Sequence, residues 1–211
     1  WSGGAGQSFM GKADTWNDHY ARRARSEKWL ARSVYKLEEI DRKVRLISPK
    51  ARVLDLGCTP GSWSQYALQK TGPRGHVVGV DLAEPERLTA PNFHFIPGDV
   101  REIDPERLLE EIGPRDLVIS DLAPRTTGVK SADASRSAEL VRSALGIARV
   151  LLRPGGRFLC KVFEGEEVQE LRQELSRAFG KVRSIRPKAV RKGSREIYLL
   201  AEQHRKGDSA P

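Results

Sequence analysis

The sequence predicts an α/β domain built on an open, mostly parallel sheet with helices covering both faces. Three observations predict it. Short apolar runs recur through the middle of the chain, separated by stretches of helical periodicity. Several of these runs close on, or are soon followed by, a polar residue: Asp55, Asp81, Asp99, Asp121 and Lys161. In such sheets the ligand crevice lies outside the carboxyl ends of the strands. Finally, a chain of 211 residues can bury roughly 70% of its unfolded surface, so it needs no disulfide or metal to hold a core.

The elements follow in order. Residues 1–9 read as a cloning remnant, because the chain opens Trp1-Ser2-Gly3-Gly4 and its single methionine comes at Met10. Residues 10–50 make a basic N-terminal segment, helical over 15–44, with Ser33 a candidate N-cap. The run 51–56 is a buried strand. It passes through Gly57-Cys58-Thr59-Pro60-Gly61 into a helix over 62–70, stopped by Gly72-Pro73. Strands follow at 76–81 and 93–96, then a helix over 105–112 that starts on Pro105. A strand at 116–121 leads to a long helix over 133–152, closed by Pro154-Gly155-Gly156. A strand at 156–163, a helix over 166–179 and two strands at 181–185 and 196–201 complete the domain. Residues 204–211 are a polar tail.

Charge is distributed unevenly. The net charge is +9 overall, but residues 10–52 carry +6, residues 53–180 carry −3 and residues 181–206 carry +7. Two basic flanks around a near-neutral middle suit a polyanion, nucleic acid first. Candidate phosphate contacts are Arg22, Arg23, Arg25, Lys28 and Arg32 before the core, and Lys188, Arg191, Lys192 and Arg195 after it. No apolar run approaches the roughly 20 residues needed to cross a bilayer. With two cysteines, Cys58 and Cys160, and no metal-ligand spacing among His19, His76, His94 and His204, neither a disulfide scaffold nor a metal site is expected. A reducing, cytoplasmic setting and a monomer are expected.

The strand-end residues suggest a ligand. The loop after the first strand keeps only Gly57 and Gly61, with no G-x-G-x-x-G and no P-loop lysine, which disfavours a pyrophosphate. Asp81 ends the second strand where a carboxylate can accept from both hydroxyls of a ribose. Asp99 is placed to accept from an adenine amino group. An adenosine-type ligand with a cationic centre fits, and S-adenosyl-L-methionine is such a ligand.

From about Trp16 to Ala201 the chain resembles the FtsJ-type ribose 2′-O-methyltransferases, particularly those acting on large-subunit ribosomal RNA. The resemblance is carried by Arg32-Ser33-Val34-Tyr35-Lys36-Leu37, Asp55-Leu56-Gly57, Pro60-Gly61-Ser62-Trp63-Ser64-Gln65, Ser120-Asp121-Leu122-Ala123-Pro124, Pro154-Gly155-Gly156, Lys161-Val162-Phe163 and Ser194-Arg195-Glu196-Ile197-Tyr198. It implies a Rossmann-like, seven-stranded methyltransferase fold over 51–203, with the last strand antiparallel. It also implies a Lys-Asp-Lys-Glu catalytic set at Lys36, Asp121, Lys161 and Glu196, and cofactor contacts at Gly61, Trp63, Asp81, Asp99 and Asp121. The implied substrate is a ribose 2′-hydroxyl, of a uridine in 23S ribosomal RNA, free or within the large subunit. The chain departs from the family pattern at Cys58, Thr59 and Ser62 in the glycine loop and at Arg125.

The chemistry gives this set a rationale. A ribose hydroxyl is a poor nucleophile until it is oriented and its proton removed. Two neighbouring lysines favour proton loss from one of them, whereas the carboxylates favour the ammonium. Both a base and a hydroxyl-steering role therefore stay open for Lys161, with Asp121 holding it and Lys36 and Glu196 orienting the ribose. Two alternatives are the same chemistry on transfer RNA or a messenger cap, and a non-catalytic RNA-binding assembly factor. The complete set of four argues against the latter. A dinucleotide-dependent reductase is disfavoured by the glycine loop.

Overall fold

Alternation of burial along the strands sorts the side chains of one sheet into two layers. The computed structural model describes residues 12–191 and 193–205. Seven strands are present: β1 (Arg52–Leu56), β2 (His76–Asp81), β3 (Phe93–Pro97), β4 (Arg115–Ser120), β5 (Leu152–Phe163), β6 (Phe179–Ile185) and β7 (Glu196–His204). The helices are α1 (Lys12–Ser26), α2 (Val34–Val44), α3 (Ser62–Thr71), α4 (Pro105–Ile112), α5 (Lys130–Leu151) and α6 (Glu167–Ala178). On one face, Leu54, Leu56, Val78, Val80, Val118 and Phe158 pack with α4, α5 and α6. On the other, Val53, Val77, Leu117, Ile119 and Leu159 pack with α2 and α3 through Leu37, Ile40, Trp63 and Tyr66. Each fully buried aliphatic side chain is worth about 1.5–3 kcal/mol relative to exposure, so this alternation sets the register of the sheet. Cys160 falls in the first layer and Lys161 points to the opposite side.

The sheet order is β3-β2-β1-β4-β5-β7-β6. The chain therefore winds outward from β1 in one direction and, starting again at β4, in the other. The crevice between the carboxyl ends of β1 and β4 is the topological switch point. The strands β1 to β5 pair in parallel, whereas β7 runs antiparallel to β5 and β6. Reversal of β7 brings its first residue, Glu196, opposite Phe163, and Tyr198 opposite Lys161. The start of β7 thus meets the ends of β4 and β5.

Four expectations need correction. The predicted helix over 15–44 is two helices, because the chain turns between Ser26 and Val34 and Lys28 adopts φ 60°. There α3 supplies hydrogen-bond partners: Leu30 N donates to Gln65 Oε1 (3.0 Å), and Gln65 Nε2 donates to Lys28 O (3.0 Å). Ser33 precedes α2 but makes no capping bond through its side chain, which instead meets the Ser62 hydroxyl at 2.9 Å. The strand predicted from 156 starts at Leu152, with an irregular register opposite Asp116. His204, expected in the tail, is a buried end of β7. The suggested remnant at 1–9 lies outside the described residues. Among those described, no helix is long and apolar enough to cross a membrane.

Candidate active site

The loop from β1 into α3 forms one wall of the crevice. Gly57 sits at φ 79°, and a Cβ there would come within 2.6 Å of Leu122 Cδ2. Gly61, at φ 108°, opens α3 with Leu30 and Pro85 close against it, so a side chain there would be strained in its backbone and crowded by its neighbours. Asp81, at the end of β2, ties this loop down: Thr59 N donates to its Oδ2 (2.9 Å) and Leu82 N to its Oδ1 (2.7 Å). The Thr59 hydroxyl donates to Ala83 O. One departure from the family pattern thus becomes a second tie between the loop and the β2 end.

Asp55 lies beneath this loop and is fully buried. Ser64 Oγ donates to its Oδ2 at 2.6 Å, while Oδ1 has no partner. Burial pushes this carboxyl up to about 7 against the Ser64 bond, and the negative charges of Asp121 and Asp81 add to the rise. Trp63 is also buried: its indole Nε1 donates to Ser33 O (2.9 Å) and its ring lies 5.8 Å from that of Tyr198. Asp99 accepts from Arg101 Nε (3.0 Å) and Arg101 N (3.0 Å), bonds that hold its carboxyl down at about 2. Asp99 stays beside Asp81, whose carbonyl accepts from Gly98 N at 2.9 Å.

The other wall brings together the four residues of the expected catalytic set. Lys161 Nζ, 7% exposed, lies 3.2 Å from Asp121 Oδ1 and donates to Asp121 O at 2.6 Å. Lys36, near the start of α2, is ion-paired with Glu196. Tyr198 joins the two pairs, its hydroxyl 2.8 Å from Asp121 Oδ1 and 2.9 Å from Glu196 Oε1. Tyr198, Ser64 and Thr59 were given no role in the site, and Asp55 was noted only as a strand-end carboxylate. For Tyr198 the signal was available: it follows Glu196 by two residues on a strand and so shares its face.

The basic residues separate into two groups. Arg23 is engaged within the fold, with Nε 2.7 Å from Glu27 Oε1 and its guanidinium 4.3 Å over the Tyr35 ring. Arg195 donates to Glu164 O (3.1 Å) and Lys130 O (2.8 Å), clasping the start of α5 to the end of β5. Arg22, Arg25, Lys28, Lys188 and Arg191 are exposed. Arg32 is half-buried and close enough to Arg191 and Glu196 for both to act on its charge, so the two basic flanks meet beside the catalytic set. The same packing joins Ala189 N to Glu39 Oε2 on α2 at 3.2 Å. Lys192 lies outside the described residues. Among those described, no group of three or more His, Cys, Asp or Glu could hold a metal ion.

Comparison with known proteins bears on the fold and the family. The sequence model of the FtsJ-like methyltransferases matches residues 29–204. The Bdellovibrio bacteriovorus ribosomal RNA large subunit methyltransferase E is 46% identical over 186 residues, covering 87% of this chain and 94% of the relative. Its Syntrophobacter fumaroxidans counterpart is 47% identical over 193 residues, covering 91% and 98%. Among solved structures, a Plasmodium falciparum protein described as a ribosomal RNA methyltransferase superposes with a TM-score of 0.73. It is 28% identical and covers 83% of this chain and 98% of its own. A Clostridium thermocellum rRNA methylase structure, at 19% identity and a TM-score of 0.58, shares the fold. With the match spanning the crevice, both its walls and the strand that closes it, the chain belongs to the FtsJ-like methyltransferase family.

Proposed function

We propose that this protein transfers a methyl group from S-adenosyl-L-methionine to a ribose 2′-hydroxyl of large-subunit ribosomal RNA, a uridine of the 23S molecule, working as a cytoplasmic monomer. The observation that carries the reading is the meeting of Lys36, Asp121, Lys161 and Glu196 at one crevice beside a glycine loop. The relatives' names point to ribosomal RNA of the large subunit.

The crevice fits the cofactor. The unpartnered, buried Asp55 Oδ1 is an acceptor waiting for a donor, and the cofactor's methionine part carries an ammonium. Gly57 and Gly61 keep the loop thin where side chains would collide. Asp81 would receive the ribose hydroxyls, Asp99 the adenine amino group, and Trp63 and Gly61 would flank the methionine part. When bound, S-adenosyl-L-methionine supplies a methyl group already activated by its sulfonium, so no metal is called for.

The chain's own task is to present the nucleophile. Lys161, held by the carboxylate and the carbonyl of Asp121, orients the 2′-oxygen and is the group positioned to take its proton. Lys36, fixed by Glu196, steers the ribose from the α2 side. Such positioning and proton handling contribute about 10²–10⁴-fold to rate. The test is transfer of labelled methyl from S-adenosyl-L-methionine to large-subunit RNA, with ribose attachment read as resistance of the adjacent phosphodiester to alkali. Wild type should label RNA. Lys161→Ala should lose about 10²-fold or more of the rate while cofactor affinity holds within about twofold. Wild-type turnover by the variant would remove Lys161 from this role, and an unlabelled RNA with wild type would sink the function.

A further inference from the structure

Tyr198 touches both halves of the site. Its side chain is fully buried, with the hydroxyl within hydrogen-bond distance of Asp121 and of Glu196. β7 puts it there, opposite Lys161 in register and two residues beyond Glu196. A hydroxyl carries a single hydrogen, so it cannot donate fully to two carboxylates at once. The hydrogen is therefore shared between them or exchanged. Each carboxylate also meets a lysine, on the same oxygen that the hydroxyl reaches: Lys36 on Glu196 Oε1 and Lys161 on Asp121 Oδ1. The groups run lysine, carboxylate, hydroxyl, carboxylate, lysine. Without the hydroxyl, two like charges would face each other across an apolar ring edge, and each would draw on its own lysine alone.

We propose that Tyr198 is a positioning residue for methyl transfer, whose hydroxyl couples the Lys36–Glu196 pair to the Asp121–Lys161 pair and so fixes both lysines around the ribose hydroxyl. The inference rests on the methyltransferase reading above. The charged groups facing the hydroxyl are Lys36 from α2, Asp121 after β4, Lys161 from β5 and Glu196 from β7. Asp55 from β1 and Arg32 ahead of α2 act on Asp121 and Glu196 from farther off. A residue that only filled the core would keep that role as phenylalanine.

Tyr198→Phe separates the two. Coupling requires kcat to fall about tenfold or more, with KM for RNA and cofactor affinity within about twofold. It also requires the acid limb of the kcat–pH profile to move upward, because a carboxylate deprived of a donor holds its proton more tightly. NMR of the side-chain carboxyl carbons reads the same coupling without turnover: at a fixed pH the Asp121 and Glu196 carboxyl signals should both move in the variant. Should the phenylalanine variant unfold, Glu196→Gln serves instead. Removing the competitor for the hydrogen should move the Asp121 carboxyl signal, and where both variants fold, this change should shrink in the Tyr198→Phe background. A kcat and profile like wild type, or unmoved carboxyl signals, overturn the proposal. Absence of methyl transfer by wild type would instead overturn the function, and the carboxyl signals would still judge the coupling.

Discussion

Asp55 carries a carboxyl closed off from water, with one oxygen held by Ser64 and the other without a donor. Its folded-state value, raised to about 7, lies above the ordinary 3.8. Between those values the folded protein keeps a proton that the unfolded chain has released, so stability without cofactor declines as pH rises through this window. Asp55→Asn removes that titration. The thermal midpoint of the cofactor-free variant should stay level from about pH 5 to pH 8 while that of wild type falls. The same change should weaken S-adenosyl-L-methionine by about tenfold or more, the scale of a hydrogen bond between charged groups. Parallel midpoint-against-pH curves for the two proteins would show that Asp55 does not hold the raised value. Sequence reading reached Asp55 as a strand-end carboxylate, but nothing in the string distinguishes a solvated carboxylate from a sealed one. The four residues expected to act in catalysis came from the family resemblance; Asp121 and Lys161 also stand at or near the ends of parallel strands, and Glu196 meets them because β7 runs antiparallel. Tyr198 was legible only in part: its place two residues after Glu196 on one strand stands in the string, but its second partner, Asp121, comes from a strand far off in sequence.

Among the elements, those with local signals matched closely: β2 at His76–Asp81 and α4 at Pro105–Ile112, where Asp104 caps the helix by accepting from Glu106 N and Arg107 N. The break between α1 and α2 had no glycine or proline to announce it. It is imposed from outside, by Gln65 and Trp63 of α3 taking backbone groups of Lys28, Leu30 and Ser33. Propensity loses there to tertiary hydrogen bonds. A similar cross-link joins α2 to the strand-connecting segment ahead of β7. Glu39 Oε2 accepts from Ala189 N, while Ala189 and Val190 are buried among Val34, Tyr35 and Leu37. Glu39→Ala should cost about 1 kcal/mol, lowering Tm by about 2–4 °C in a chain of this size. Amide exchange at Ala189 should speed up while that in β1 and β4 stays unchanged. An Ala189 amide as protected as in wild type would show that apolar burial alone docks the segment.

At the scale of the molecule, the charge division reappears as geometry. The +6 and +7 flanks are far apart in sequence, yet Arg32 from one and Arg191 from the other act on each other beside Glu196. RNA laid across this edge would have phosphates within reach of both flanks and a ribose near Lys36 and Lys161. Exposed cations there make sequence-independent contacts that release counterions, so affinity should fall steeply with salt. Arg25, Lys28 and Lys188 are exposed, and replacing all three by alanine should flatten the slope of log affinity against log salt by about two units, at roughly 0.7–0.9 per lost phosphate contact. Arg23→Ala is the contrasting case. Its guanidinium is paired with Glu27 and laid over Tyr35, so its loss should lower Tm and leave the slope nearly alone. Cofactor affinity should hold in both variants, because neither touches the glycine loop. If the triple variant keeps the wild-type slope, these cations only solvate the surface, and RNA must approach the crevice from another side.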